Sequence, residues 1–152
     1  MAEYQIVRME EKKLAGLCAR TSNTDPKMGE VIGGLWQKLY QGLFHQLPGK
    51  VNDRAIGLYS DYENGAEGLY DITVGCEVET STELPAGVAV KTIPAGNYAE
   101  FVVHGDDVQA VAKMWGEIWQ MPLERTFTGD YEEYYESKDP SNREIHLFIA
   151  VK

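Results

Sequence analysis

Apolar side chains recur at Met28, Val31, Ile32, Leu35, Trp36, Leu39, Tyr40, Leu43, Phe44 and Leu47. This 3.6-residue period predicts one long helix with a single buried face. Asp25-Pro26 ahead of it supplies a capping carboxylate and a first-turn proline, and Pro48-Gly49 stops it. Gly33-Gly34 lies inside this pattern, costs about 2 kcal/mol of helix propensity, and predicts close approach of the helix to a sheet. Val108, Val111, Ala112, Trp115, Ile118 and Trp119 repeat the helical period. Asp106, with Gln109 three residues on, caps that second helix, and Met121-Pro122 ends it. Elsewhere the pattern is extended. Residues 4–20, 55–62, 69–78, 88–93, 97–103, 131–135 and 144–151 read as strands, with a tight turn at Pro94-Ala95-Gly96.

The order strand–helix–strand–strand occurs twice. Residues 55–62 hold the place in the first half that 131–135 hold in the second, and 69–78 the place of 144–151. Two copies predict one α+β domain over residues 1–152, built of pseudo-symmetric halves at about 1–80 and 86–152. It would have antiparallel sheets, two long helices and a central groove where the halves meet, and such junctions are common small-molecule sites.

Composition narrows the function. A chain of 152 residues with 43% hydrophobic and 25% charged positions is long enough to bury a self-sufficient core. A net charge of −10 with no basic cluster argues against binding a nucleic-acid backbone. No apolar run is long enough to span a bilayer, and the first residues lack the basic start and apolar core of a secretion signal. Cys18 and Cys76 lie in apolar strand-like runs without metal-ligand spacing, so both are expected as reduced core thiols in a cytoplasmic protein. His45, His104 and His146 show no ligand spacing, and no phosphate loop, dinucleotide fingerprint or nucleophile elbow is present. Neither a metal nor a cofactor is expected.

The chemistry concentrates in Gly129-Asp130-Tyr131-Glu132-Glu133-Tyr134-Tyr135. Strand alternation turns Glu132 and Tyr134 one way and Tyr131, Glu133 and Tyr135 the other. If the Glu132 face looks into the groove, a carboxylate and a phenol share its wall. A buried carboxylate costs several kcal/mol, which phenol hydroxyls offset in part and a bound cation offsets further. The competing reading makes Glu132, Glu133 and Glu136 a solvated acidic edge; that reading is retained for Glu133 and Glu136. Trp36, Trp115 and Trp119 sit at core spacing on their helices, with Trp119 nearest the acidic strand. Tyr59, Tyr70 and Tyr98 fit a core or a groove wall about equally, with Tyr59 favoured for the groove because the repeat places its strand opposite that of Glu132.

Three stretches together resemble the gyrase-inhibitor-like small-molecule-binding domain, the bacterial effector-binding domain of AraC-type and MerR-type regulators. They are Gly57-Leu58-Tyr59-Ser60-Asp61 with Leu69-Tyr70-Asp71-Ile72, then Ile93 to Phe101 with His104-Gly105, then 115–122 with Gly129 to Tyr134. The resemblance implies a duplicated strand–helix–strand–strand fold, an aromatic central pocket open to many drug-like ligands, and contact between Glu132 and lipophilic cations. With the aromatic residues read above, the expected ligand-binding set is Glu132, Tyr134, Trp119, Tyr59, Trp36, Tyr70, Tyr98 and Trp115. No helix-turn-helix accompanies the domain, so direct DNA binding is not expected. Two other functions fit the resemblance. One is hydrolysis of strained electrophiles with Glu132 as general base, and the other is an acidic, protein-binding inhibitor of a DNA-handling enzyme.

Overall fold

A computed structural model describes residues 3–64, 68–79, 84, 86–105, 107–135 and 143–152. Its strands are β1 (Gln5–Met9), β2 (Lys12–Ser22), β3 (Lys50–Ser60), β4 (Leu69–Val78), β5 (Ala89–Ile93), β6 (Gly96–Gly105), β7 (Asp130–Tyr134) and β8 (Arg143–Val151). They form one continuous antiparallel sheet, in place of separate ones, in the order β1-β6-β8-β7-β3-β4-β2-β5. The duplication is visible in that order. The triplet β6-β8-β7 mirrors β2-β4-β3, and the two copies join where β7 pairs with β3. The outermost strands are exchanged: β1 of the first half pairs with β6 of the second, and β5 pairs with β2 of the first.

These exchanges bend the sheet. Only two residues separate β5 from β6, a span of about 11 Å at most from Ile93 to Gly96. The same strands stand six places apart in a sheet whose spacing would put them about 29 Å apart if flat. The sheet therefore curls until its edges come close. Leu14, Ile56, Leu58, Ile93, Tyr98 and Tyr131 are buried together in this curl, with Val7 and Met9 of the far edge against them. The larger core covers the other face, where Ile72, Val74, Phe101, Leu147 and Ile149 meet the helices.

The helices depart from expectation at their ends and centre. Asp25 does not cap directly. Its side chain accepts from the Lys27 amide at 2.8 Å in a local turn, and α1 (Met28–Lys38) starts two residues later than the proline suggests. The helix loosens into a π-turn at Leu39–Leu43, where Gly42 takes φ 140°, and ends in the short α2 (Phe44–Gln46). The break falls at Gly42 because a positive φ there is open to glycine. Gly33-Gly34 stays helical, and a Cβ added at either residue would meet nothing within 4 Å, so the expected close approach to the sheet is absent. The second long helix, α3, spans Asp107–Ile118. Its proposed cap Asp106 lies outside the described residues, as does Glu136.

Two further expectations are corrected. Cys76 is buried but Cys18 is exposed, because alternation along β2 sends Ala15, Leu17 and Ala19 to the helix face and Cys18 to the back, beyond the cover that ends at Leu14. Glu133 is not a solvated edge. It is buried on the back of β7, 3.7 Å from the Arg54 guanidinium. No helix among the described residues is long and apolar enough to cross a membrane.

Candidate functional site

Alternation along β7 places Asp130, Glu132 and Tyr134 on the helix face. Glu132 pairs with Gly57 of β3 across the centre of the sheet. The missing side chain at Gly57 matters: a Cβ there would stand 3.0 Å from the Trp36 indole and 3.6 Å from Glu132 Oε1. Glycine thus lets the indole and the carboxylate lie over the junction of the two halves. Above them α1 and α3 stay apart, leaving a groove with two adjoining lobes.

The larger lobe, about 630 Å³, has Glu132, Tyr134 and Tyr59 as its floor, with Trp36 and Trp115 on opposite walls. Gly29 and Gly33, one turn apart on α1, open its roof, and Tyr40 closes one end. The two glycines thus widen the groove rather than seat the helix. No residue of α1 is fully buried, as expected of a helix that roofs a cavity. The smaller lobe, about 300 Å³, shares Tyr59 and Trp115 and continues to Tyr62, Tyr70, Trp119 and Arg125. Trp119, 54% exposed, stands at its mouth just past the end of α3.

Glu132 is 2% exposed. Tyr59 donates to its Oε1 at 2.6 Å and Tyr134 to its Oε2 at 2.9 Å. The Trp115 indole N–H faces the same carboxylate and helps hold its charge, although it falls short of hydrogen-bond geometry. Burial dominates nonetheless and raises the Glu132 carboxyl above the ordinary carboxylate range. Among the described residues no cationic side chain pairs with it. The phenols respond in kind: burial first, then the Glu132 charge, lifts Tyr59 well above an ordinary tyrosine and pushes Tyr70 up to about 12. Both stay protonated donors.

The expected set therefore converges, with one exception. Glu132, Tyr134, Tyr59, Trp36 and Trp115 line the larger lobe, and Tyr70 and Trp119 the smaller. Tyr98 lies on the back of the sheet inside the curl, edge-on to Tyr131, with its hydroxyl donating to the Pro94 carbonyl. β6 pairs with β8 in a register that turns Tyr98 to the back with Ala150, while Ala99 and Phe101 face the helices.

The sequence reading passed over Asp130 and Arg125. Asp130 is fully buried. Its Oδ1 accepts the Ala150 amide at 2.8 Å, and its Oδ2 accepts Tyr62 at 2.6 Å and Arg125 Nη2 at 2.7 Å. Alternation from Glu132 marks Asp130 for the same face, and a buried acid there calls for a cation, which Arg125 supplies from the segment before β7. The two histidines that looked unrelated, His104 and His146, meet at the Glu144 carboxylate on the other side of the molecule's second half, with His146 Nδ1 also 2.9 Å from Glu100. Among the described residues no cluster is suited to hold a metal ion.

Known proteins share this architecture. The solved integron cassette protein VCH_CASS2 from the mobile metagenome of Vibrio cholerae is 27% identical, with TM-score 0.79 over 98% of this chain and 95% of that one. The structure of SAV2435 bound to tetraphenylphosphonium superposes with TM-score 0.81 at 21% identity, covering 99% of this chain and 94% of that one. The regulator-like protein YobU of Bacillus subtilis (strain 168) is 34% identical over 159 residues, spanning 100% of this chain and 99% of its own. The family model of integron-associated effector-binding proteins, Cass2, matches residues 5–151. With that match over nearly its whole length, the chain belongs to the Cass2 family of integron-associated effector-binding proteins.

Proposed function

We propose that the effector is a lipophilic cation, bound in the larger lobe with its charge against Glu132 and its apolar body between Trp36 and Trp115. The observation that carries this reading is the state of Glu132: an acid 2% exposed, held by two phenols and paired with no described cation, at the floor of an aromatic groove. Such a carboxylate is costly to ionise, and a monocation entering the lobe offsets that cost where water cannot. Each ring contact adds about 0.5–2 kcal/mol for a desolvated cation. Rings and charge together set no strict shape, which fits a receptor tolerant of many cations. The tetraphenylphosphonium held by SAV2435, on the same fold, is a cation of this kind. Binding fits better than base catalysis, because both Glu132 oxygens already accept phenol hydrogen bonds.

The test compares tetraphenylphosphonium with neutral triphenylphosphine oxide by calorimetry. Glu132→Gln is expected to weaken the cation about tenfold or more, near 1.4 kcal/mol, and to leave the neutral compound within about twofold. Equal losses for both probes refute charge pairing.

A further inference from the structure

The smaller lobe differs in chemistry from the larger. Its charged wall is Arg125, whose side chain is 12% exposed and whose Nη2 is held by Asp130. Asp130 accepts from Ala150, Tyr62 and this one guanidinium nitrogen. A guanidinium carries five N–H donors. Among the described residues, Asp130 Oδ2 is the acceptor that Arg125 reaches; its Nε is sealed from solvent, which leaves the N–H groups of its terminal nitrogens to serve the lobe. The guanidinium carbon lies 4.3 Å from the Phe127 ring centroid, so a cation–π contact holds the group as well as its ion pair. Around it Tyr62 and Tyr70 spend their hydroxyl protons on Asp130 and Asn23. The lobe thus offers a held donor group with spare capacity, and its charge is already balanced by Asp130.

We propose that the smaller lobe is a second subsite that takes a hydrogen-bond acceptor, a carbonyl oxygen, on an arm of the same ligand whose cation lies over Glu132. This rests on the larger lobe being the cation site. The two lobes adjoin and share Tyr59 and Trp115 as lining, so an arm of a ligand in one would reach the other. A neutral acceptor suits the wall because the Arg125–Asp130 pair carries no net charge to attract an anion. The preferred effector is then an aromatic cation with a carbonyl-bearing arm rather than a bare hydrophobic cation.

Three triphenylphosphonium probes of matched arm length test this by calorimetry on the intact chain: a pentyl arm, an ester arm and a carboxylate arm. The ester arm is expected to bind about tenfold tighter than the pentyl arm, with the carboxylate arm no better than the ester. In Arg125→Met/Asp130→Asn, which removes the ion pair without stranding a buried charge, the ester preference falls to about twofold or less. If that variant does not fold, Arg125→Lys keeps a partner for Asp130 but loses the fork, and the preference is expected to fall about threefold or more. Equal binding of ester and pentyl arms to the wild-type chain, or a preference that survives loss of Arg125, overturns the subsite. In either case tight binding of the pentyl probe leaves the Glu132 site standing. Failure of every probe to bind removes both readings.

Discussion

At the scale of single residues the decisive quantity is the proton on Glu132. Its folded value is raised by burial, so the native chain holds that proton more tightly than the unfolded chain. Stability from this group is therefore greatest at acid pH, declines as pH climbs from the unfolded carboxylate range, and levels off once the folded group has ionised. Glu132→Gln removes the penalty. Its melting temperature is expected to exceed that of the wild type by about 2–4 °C at pH 8, the shift for roughly 1 kcal/mol in a domain of this size, and to match it near pH 4. Scanning calorimetry at the two values checks this, and a gap that widens toward acid contradicts it. The sequence made Glu132 and Tyr134 legible because alternation on a strand needs no tertiary knowledge. It left Arg125 hidden, because that residue comes from an irregular segment whose path is set by Asp130 and the end of β8.

Helix α1 shapes the groove by what it lacks. Gly29 and Gly33 face the larger lobe, whereas Gly34 does not line it, and none of the three has a neighbour where a Cβ would stand. Replacing an interior helix glycine gains up to about 1 kcal/mol. Gly33→Leu and Gly34→Ala are both expected to raise the melting temperature by about 2–4 °C. Only Gly33→Leu should weaken tetraphenylphosphonium, by about tenfold, since its side chain enters the lobe. Parallel thermal and binding measurements separate the two outcomes; equal effects on binding assign the glycines to helix dynamics instead. The periodicity of the sequence located this helix but misread its glycines, because pattern alone does not distinguish a residue kept small for packing from one kept small for a void.

For the molecule as a whole, the duplicated order of elements was readable and the exchange of edge strands was not. Local pattern reads β5 as a strand and runs β1 and β2 together as one extended stretch, and partner choice is fixed by the curl that seals Tyr98 and Tyr131 behind the sheet. Neither half is complete without the other. A fragment of residues 86–152 leaves β6 without β1 and β7 without β3. It is expected to show no cooperative melting and no stabilisation by tetraphenylphosphonium, while co-expression with residues 1–85 restores both. Independent melting of either fragment contradicts this dependence.

Gly57, opposite Glu132, has a consequence for counting. Repetition of the half-motif would ordinarily supply two equivalent carboxylates, one from each central strand, and hence a binder with room for paired charges. Here the position opposite Glu132 on the other central strand carries no side chain at all. On the proposed reading each polypeptide takes one cation, and a guest bearing two positive centres would leave its second centre uncompensated or outside.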